Sequence, residues 1–280
     1  TPGYLQERGM PETPDALIDH DCISYLSRQW RFKADGENSH VIQVDGTIIT
    51  GQAAQVIDGR LQLTRDGEGL GFSSFSIPPM EGSSKGFTVT FDYELNDGPG
   101  SNDPADGFSF NYGNAELGER GQAEEGMAGR PGVTENISFE IDTWRNGDTE
   151  QGVNISGIHN GNDQDQYAFT NGVILNDGQR VSGKMEISWN PQSGASFKTT
   201  GLVTNANFNN IEIPNFDPSD DHTFIISARV GGANQDLFID NISVTTESSN
   251  NPVDPVDPVD PVDPDDPDDP DPIRNGELFI

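Results

Sequence analysis

The stretch from Ile137 to Asp148 reads ISFEIDTWRNGD. Apolar and polar residues alternate through its first half, the period-2 pattern of a strand with one buried face. Ile137, Phe139 and Ile141 fall on one side. Glu140 and Asp142 share the other, roughly 6–7 Å apart along the strand. Two neighbouring carboxylates on one face repel unless they are solvated, protonated or bridged by a cation. The strand then runs into a loop with two more oxygen donors, Asn146 and Asp148. At two-residue steps, Asp142, the Trp144 carbonyl, Asn146 and Asp148 are spaced to wrap one Ca2+, which takes about 6–8 hard oxygens at roughly 2.3–2.6 Å. The alternative is an acidic outward strand face followed by a polar turn, and spacing alone leaves both open.

The same alternation recurs on either side. FTVTFDYEL puts Phe87, Val89, Phe91, Tyr93 and Leu95 on one face. FSFNY does so with Phe108, Phe110 and Tyr112, KMEISW with Met185, Ile187 and Trp189, and HTFIISARV with Phe224, Ile226 and Ala228. Further strands are expected at 60–64, 69–77, 153–159, 208–213 and 237–244. The turn signals DGR, NDGPG, NGD, HNGND, NDGQ and GGANQD lie between them. Helical periodicity is absent from Val41 to Thr246. About a dozen short strands with these turns predict an all-β domain, a β-sandwich or jelly roll. ARVGGANQDLFIDNISV reads as a hairpin turning at Gly231-Gly232, with Asp236 or Asp240 near the turn.

A second informative segment is PADGFSFNYG, Pro104 to Gly113, an Asp at the mouth of a strand. Taken in order, the two segments resemble the L-type (legume-type) lectin family, the concanavalin A-like jelly-roll sandwich, over roughly Val41–Thr246. The matching residues are Ala105-Asp106-Gly107 and Glu140-Ile141-Asp142-Thr143-Trp144-Arg145-Asn146. The resemblance implies a cis Ala105–Asp106 peptide and an Asp106 carboxylate that accepts from two sugar hydroxyls. It implies Ca2+ on Asp142, the Trp144 carbonyl and Asn146. It also implies that the Asn146 amide faces the sugar, that the Trp144 ring can stack on it, and that a glycine-loop N–H donates to it, best matched by Gly126 in EEGMAGRPG.

The chain departs from the family pattern in two places. The loop after Asn146 is about two residues shorter, so Asp148 is preferred to Glu150 as the next calcium ligand. Asn154 stands where a histidine of a second, transition-metal site belongs, and its amide oxygen suits Ca2+ better. The second site is therefore not expected, and Glu140 is expected to support the first. The same sandwich also carries glucanases, which need two carboxyls about 5–5.5 Å apart. Here Thr143, Trp144 and Arg145 occupy the positions where the second Glu would have to fall. No enzymatic activity is expected.

Charge and composition bound the rest. The 280 residues carry 15 Lys+Arg against 47 Asp+Glu, a formal net charge of −32. Such a chain repels nucleic-acid phosphate and anionic membrane surfaces. No stretch is long and apolar enough to span a bilayer. A single cysteine, Cys22, excludes an intrachain disulfide. PVDPVDPVDPVDPDDPDDPDP repeats Pro about every third residue, which reads as a disordered, extended spacer reaching roughly 70 Å. The expected division is 1–38, an unassigned tail of a preceding region whose PDALIDHDCISYLSRQWRF holds room for a short helix. Then come 39–247, the sandwich, 248–272, the Pro/Asp linker, and 273–280, the start of a further module. His20 and His40 read as surface residues, and the NIS triplets at Asn136, Asn154 and Asn241 as chance matches to a glycosylation sequon. The resulting expectation is a calcium-dependent carbohydrate-binding module of a larger secreted or cell-surface protein, with a glycan or polysaccharide and neighbouring modules as partners. The alternative is a non-catalytic, calcium-stiffened adhesion or spacer module.

Overall fold

The computed structural model describes residues 9–11, 13, 16–17, 20, 22–25, 29–32, 40–43, 47–51, 53–67, 69–97, 104–122, 125–145, 151–161, 165–247 and 277–279. Its strands are β1 (Ser24–Tyr25), β2 (Gln29–Phe32), β3 (His40–Gln43), β4 (Ile48–Gly51), β5 (Gln55–Ile57), β6 (Arg60–Thr64), β7 (Gly71–Ile77), β8 (Phe87–Asn96) and β9 (Gly107–Gly113). They continue as β10 (Asn136–Asp142), β11 (Gly152–Ile158), β12 (Asp165–Asn171), β13 (Arg180–Asn190), β14 (Gly194–Thr199), β15 (Asn207–Ile211), β16 (Thr223–Val230), β17 (Asp236–Thr246) and β18 (Glu277–Phe279).

Two large sheets result. One runs β1-β4-β7-β16-β9-β10-β11-β12; the other runs β15-β14-β13-β8-β17-β6-β5, with β18 pairing β17. Apart from the parallel β1–β4 pair, the ladders are antiparallel. The inward faces are the ones the alternation predicts. Phe87, Val89, Phe91, Tyr93 and Leu95 of β8 meet Phe108, Phe110 and Tyr112 of β9 and Phe139 of β10 in one apolar core. Their rings interlock: Phe87 lies 4.9 Å edge-on from Tyr112 and 5.2 Å edge-on from Phe224, and Phe139 lies 5.6 Å from Phe197. Tilted and edge-to-face geometry is what the ring quadrupole favours.

In the first of these sheets the outward face of the central strands is buried too, and by different chemistry. Across β7, β16, β9 and β10 it presents Ser74, Ser227, Ser109 and Glu140 in one register row. The next row carries Ser76, Ile225, Asn111 and Ser138. The connection from β9 to β10 lies over these rows. Its Gly118 and Gly121 amides donate to Ser76 and Ser227 Oγ at 3.0 and 3.1 Å. Its Ala115, Met127 and Val133 form a small second core with Ile158 and Ile225.

Several expectations are corrected. The 14–32 segment holds no α-helix among the described residues; a single turn at Ala16–Leu17 is followed by β1 and β2. Apart from these corrections, two further pairings stand: β1 pairs with β4, and β18 with Ser243–Thr245 of β17. The Gly231-Gly232 turn is not a hairpin. β16 pairs with β7 and β9 while β17 pairs with β6 and β8, so the chain crosses there from one sheet to the other. Alternation reports which face of a strand is apolar and carries no information about which sheet the strand joins. The Pro/Asp linker at 248–272 lies outside the described residues.

Candidate functional site

β9 and β10 pair so that Gly107 stands opposite Asp142. The start of one strand and the end of the other therefore reach the same edge of the sheet. The Ala105–Asp106 peptide is cis, as the resemblance implies. Asp106 is tied on both sides: its N–H donates to the Arg229 carbonyl at 3.1 Å, and its own carbonyl accepts the Thr143 N–H at 3.1 Å. Gly107, at φ +127°, has no room for a side chain, since a Cβ would sit 2.1 Å from the Ile141 carbonyl.

The next loop is closed by Gln151. Its Nε2 donates to the Thr143 carbonyl, and its Oε1 accepts the Ile174 N–H at 3.2 Å. Asp142 Oδ1 accepts the Trp144 N–H at 2.8 Å, a local turn that starts the loop. Trp144 is half-buried and Arg145 exposed. Asn146 and Asp148, two of the expected calcium ligands, lie outside the described residues.

Glu140 is 1% exposed. Its Oε2 accepts from Asn154 Nδ2 at 2.6 Å and its Oε1 from Ser156 Oγ at 2.5 Å. Hydrogen bonds from neutral donors are how a sheet face holds a buried carboxylate without a cation. Asn154 thus turns its nitrogen, not its oxygen, to Glu140, and its Oδ1 is buried with no hydrogen-bond partner among the described residues. This arrangement does not fit a transition-metal site at Asn154. Among the described residues no three His, Cys, Asp or Glu gather to hold a metal. For Ca2+, the described part of the expected donor set is Asp142 and the Trp144 carbonyl, both hard oxygens at the head of the loop, a chemistry that fits the ion.

Gly126 sits above this carboxylate at φ +57°, where a Cβ would lie 2.1 Å from Ser138 Oγ and 2.7 Å from Glu140 Oε1. Close approach of the covering loop to the sheet therefore explains the glycine by itself. The Gly126 carbonyl accepts from the Gln122 N–H at 2.7 Å.

No protein-family profile matches the chain, and no curated protein matches it. Solved structures do. The Lotus tetragonolobus seed lectin superposes with a TM-score of 0.52 at 16% identity, covering 76% of this chain and 94% of that one. The VIP36 exoplasmic/lumenal domain in its Ca2+/Man3GlcNAc-bound form gives 0.53 at 12% identity, over 73% and 89%. Peanut lectin with a 9mer peptide gives 0.50 at 14%, over 75% and 93%.

The chain has the L-type lectin, concanavalin A-like fold.

Within this lectin fold the structure brings Asp106, Thr143 and Trp144 to one end of the eight-stranded sheet, with Gly126 in the loop above Glu140 on the same outward face. It also adds residues that sequence reasoning missed. Arg229 Nε donates to Asp106 Oδ2 at 2.7 Å, so one of the two carboxylate oxygens expected to accept sugar hydroxyls already holds a guanidinium. Asp106 is 6% exposed. Arg229 Nη1 also reaches Gln122 Oε1 at 3.4 Å. Gly231, just past β16, lies over the same carboxylate, with 3.5 Å from its Cβ position to Asp106 Oδ2. The signal for Arg229 was the lone cation in HTFIISARV, on the face opposite Phe224, Ile226 and Ala228; no spacing rule linked it to an Asp 123 positions earlier.

Proposed function

We propose that the chain is a calcium-dependent carbohydrate-binding module, extracellular or on a cell surface, with no enzymatic activity of its own. The sugar site consists of Asp106, Gly126, Trp144 and Asn146. Ca2+ is held by Asp142, Asn146, Asp148 and the Trp144 carbonyl, with Glu140 beneath the site, bonded through Asn154 and Ser156. One observation carries the reading: the β9–β10 register sets Gly107 against Asp142, so Asp106 and the head of the Trp144 loop share one edge. Calcium on that loop orders it before a ligand arrives and so lowers the ordering cost of binding at a shallow site. Each sugar hydrogen bond nets only about 0.5–3 kcal/mol against water. A monovalent affinity near millimolar is therefore expected, with avidity coming from repeated modules.

A second reading, the calcium-stiffened adhesion or spacer module, is favoured by the Arg229–Asp106 ion pair, because a satisfied carboxylate needs no ligand. A glycan array probed with a calcium-loaded, multivalent form separates the two. The lectin reading expects binding that EDTA abolishes and that Asp106→Asn removes while the calcium-induced rise in melting temperature persists. A blank array with a calcium-dependent melt supports the adhesion module. Identical melts in EDTA and millimolar calcium overturn the calcium site.

A further inference from the structure

On a chain with 15 Lys and Arg and a net charge of −32, cations are scarce, and their grouping is informative. Two of them share the ring of Phe72, and one of these, Arg229, is bonded to Asp106. Arg229 projects from β16, directly opposite Phe72 of β7 in the register. Arg130 comes from the loop covering the same face. Their guanidinium carbons lie 5.8 and 5.3 Å from the centroid of the Phe72 ring. The ring face attracts both cations and holds them against one platform. Arg130 is fixed further by its Nη2, which donates to the Gly121 carbonyl at 2.8 Å. Both side chains stay reachable from solvent, Arg130 at 21% and Arg229 at 24% exposure.

The two cations are unequally compensated. Arg229 has the Asp106 carboxylate at 2.7 Å. Arg130 has only a loose contact to Glu119, 3.9 Å from Nη1. Its Nε is buried with no hydrogen-bond partner among the described residues. A buried donor on a charged group left without an acceptor is costly, and it leaves the Arg130 charge poorly compensated. Burial pushes the Arg130 guanidinium below its ordinary range; Glu119 opposes this, while Arg120 and Arg229 add to it, as expected where positive charges crowd.

We propose that the glycan bound at this site is acidic, with a carboxylate or sulfate held by Arg130 and Arg229 at the edge of Phe72 while a neighbouring hydroxyl bonds to Asp106. This rests on the sugar-site reading above and adds the class of sugar. An anion meets the solvent-exposed part of the two side chains, and planar guanidinium forks suit carboxylate and sulfate oxygens. It also gives the Arg229–Asp106 pair a role: a donor and an acceptor presented side by side, matched to a sugar that carries both.

Titration calorimetry on the full chain with calcium tests this, using neutral galactose oligomers, galacturonate oligomers and sulfated galactose oligomers of equal length. At least one acidic series should bind about tenfold more tightly than the neutral one, and which series does so identifies the anion. The advantage should shrink in high salt. Arg130→Gln should bring the acidic-to-neutral ratio close to one, and Arg130→Lys should keep part of it, with melting curves confirming that both variants fold. Equal binding of neutral and acidic oligomers, or an unchanged ratio in Arg130→Gln, overturns the acidic specificity and leaves the sugar site standing. No binding by either acidic series overturns the acidic specificity, while the sugar site itself stands or falls on the glycan array.

Discussion

The two faces of β9 and β10 are both buried, and by opposite means. The inward face of β9 and β10 is Phe108, Phe110, Tyr112, Ile137, Phe139 and Ile141. The outward face of the same strands is Ser109, Asn111, Asn136, Ser138 and Glu140, all buried. Inside, burial of apolar area supplies the stability, and any side chain of suitable volume can provide it. Outside, each polar atom needs a specific partner. Asn111 shows the difference: its Nδ2 donates to Ser109 Oγ at 2.9 Å and the Ile225 carbonyl at 3.2 Å, and its Oδ1 accepts from Ser138 Oγ at 2.7 Å. Removing one such residue orphans several others. The apolar face is therefore sensitive to volume and the polar face to identity.

The largest expected effect is on the inner face. Phe110→Ala empties a fully buried site that rings from both sheets share, and should cost about 3–5 kcal/mol in urea unfolding. Asn111→Leu on the outer face is next. It keeps bulk but strands the Ser138 hydroxyl and the Ile225 carbonyl, and should cost about 1–3 kcal/mol. A neutral outcome there would break the comparison. Ile137→Leu, a volume-conserving exchange one strand over, should stay under about 1.5 kcal/mol and so sharpen it.

The smallest effect concerns pH. His222 is 6% exposed and packed between Tyr112 and Phe216, with ring centroids at 5.3 and 5.9 Å. Burial holds its pKa below the ordinary 6.5, against the opposing pull of Glu135, Asp217 and Asp221. A histidine with a depressed folded pKa binds protons more readily when unfolded. Its contribution is therefore intact above pH 6.5 and is lost as the pH falls from there through the folded value. The unfolding midpoint should drop between pH 7 and 5, and His222→Phe should flatten that part of the profile.

Part of the candidate site was legible from local pattern. The Glu140/Asp142 pair on one face, and the strand running into an oxygen-rich loop, both follow from period-2 geometry, which needs only neighbouring residues. The strands of β8, β9, β10 and β13 were legible for the same reason. β12 was not, because DQYAFTN is an edge strand whose residues are largely exposed and carry little apolar alternation. β5, of three residues, and β14, of six, were also missed.

Everything that depends on a partner far along the chain was decided by the tertiary structure. Arg229 reaches Asp106 only because β16 pairs with β9, and Gly231 lies over that carboxylate only because the chain crosses between sheets there. Glu140 is buried rather than solvated because the β9–β10 connection folds back, with Gly126 pressed against Ser138, over the face that alternation marks as polar. The sequence by itself determined the all-β class, the inward apolar face and the carboxylates at the strand end, since these follow from residues within a few positions of one another. Which sheet each strand joined, and which charges met, followed from strand pairings whose free energy depends on the whole sandwich.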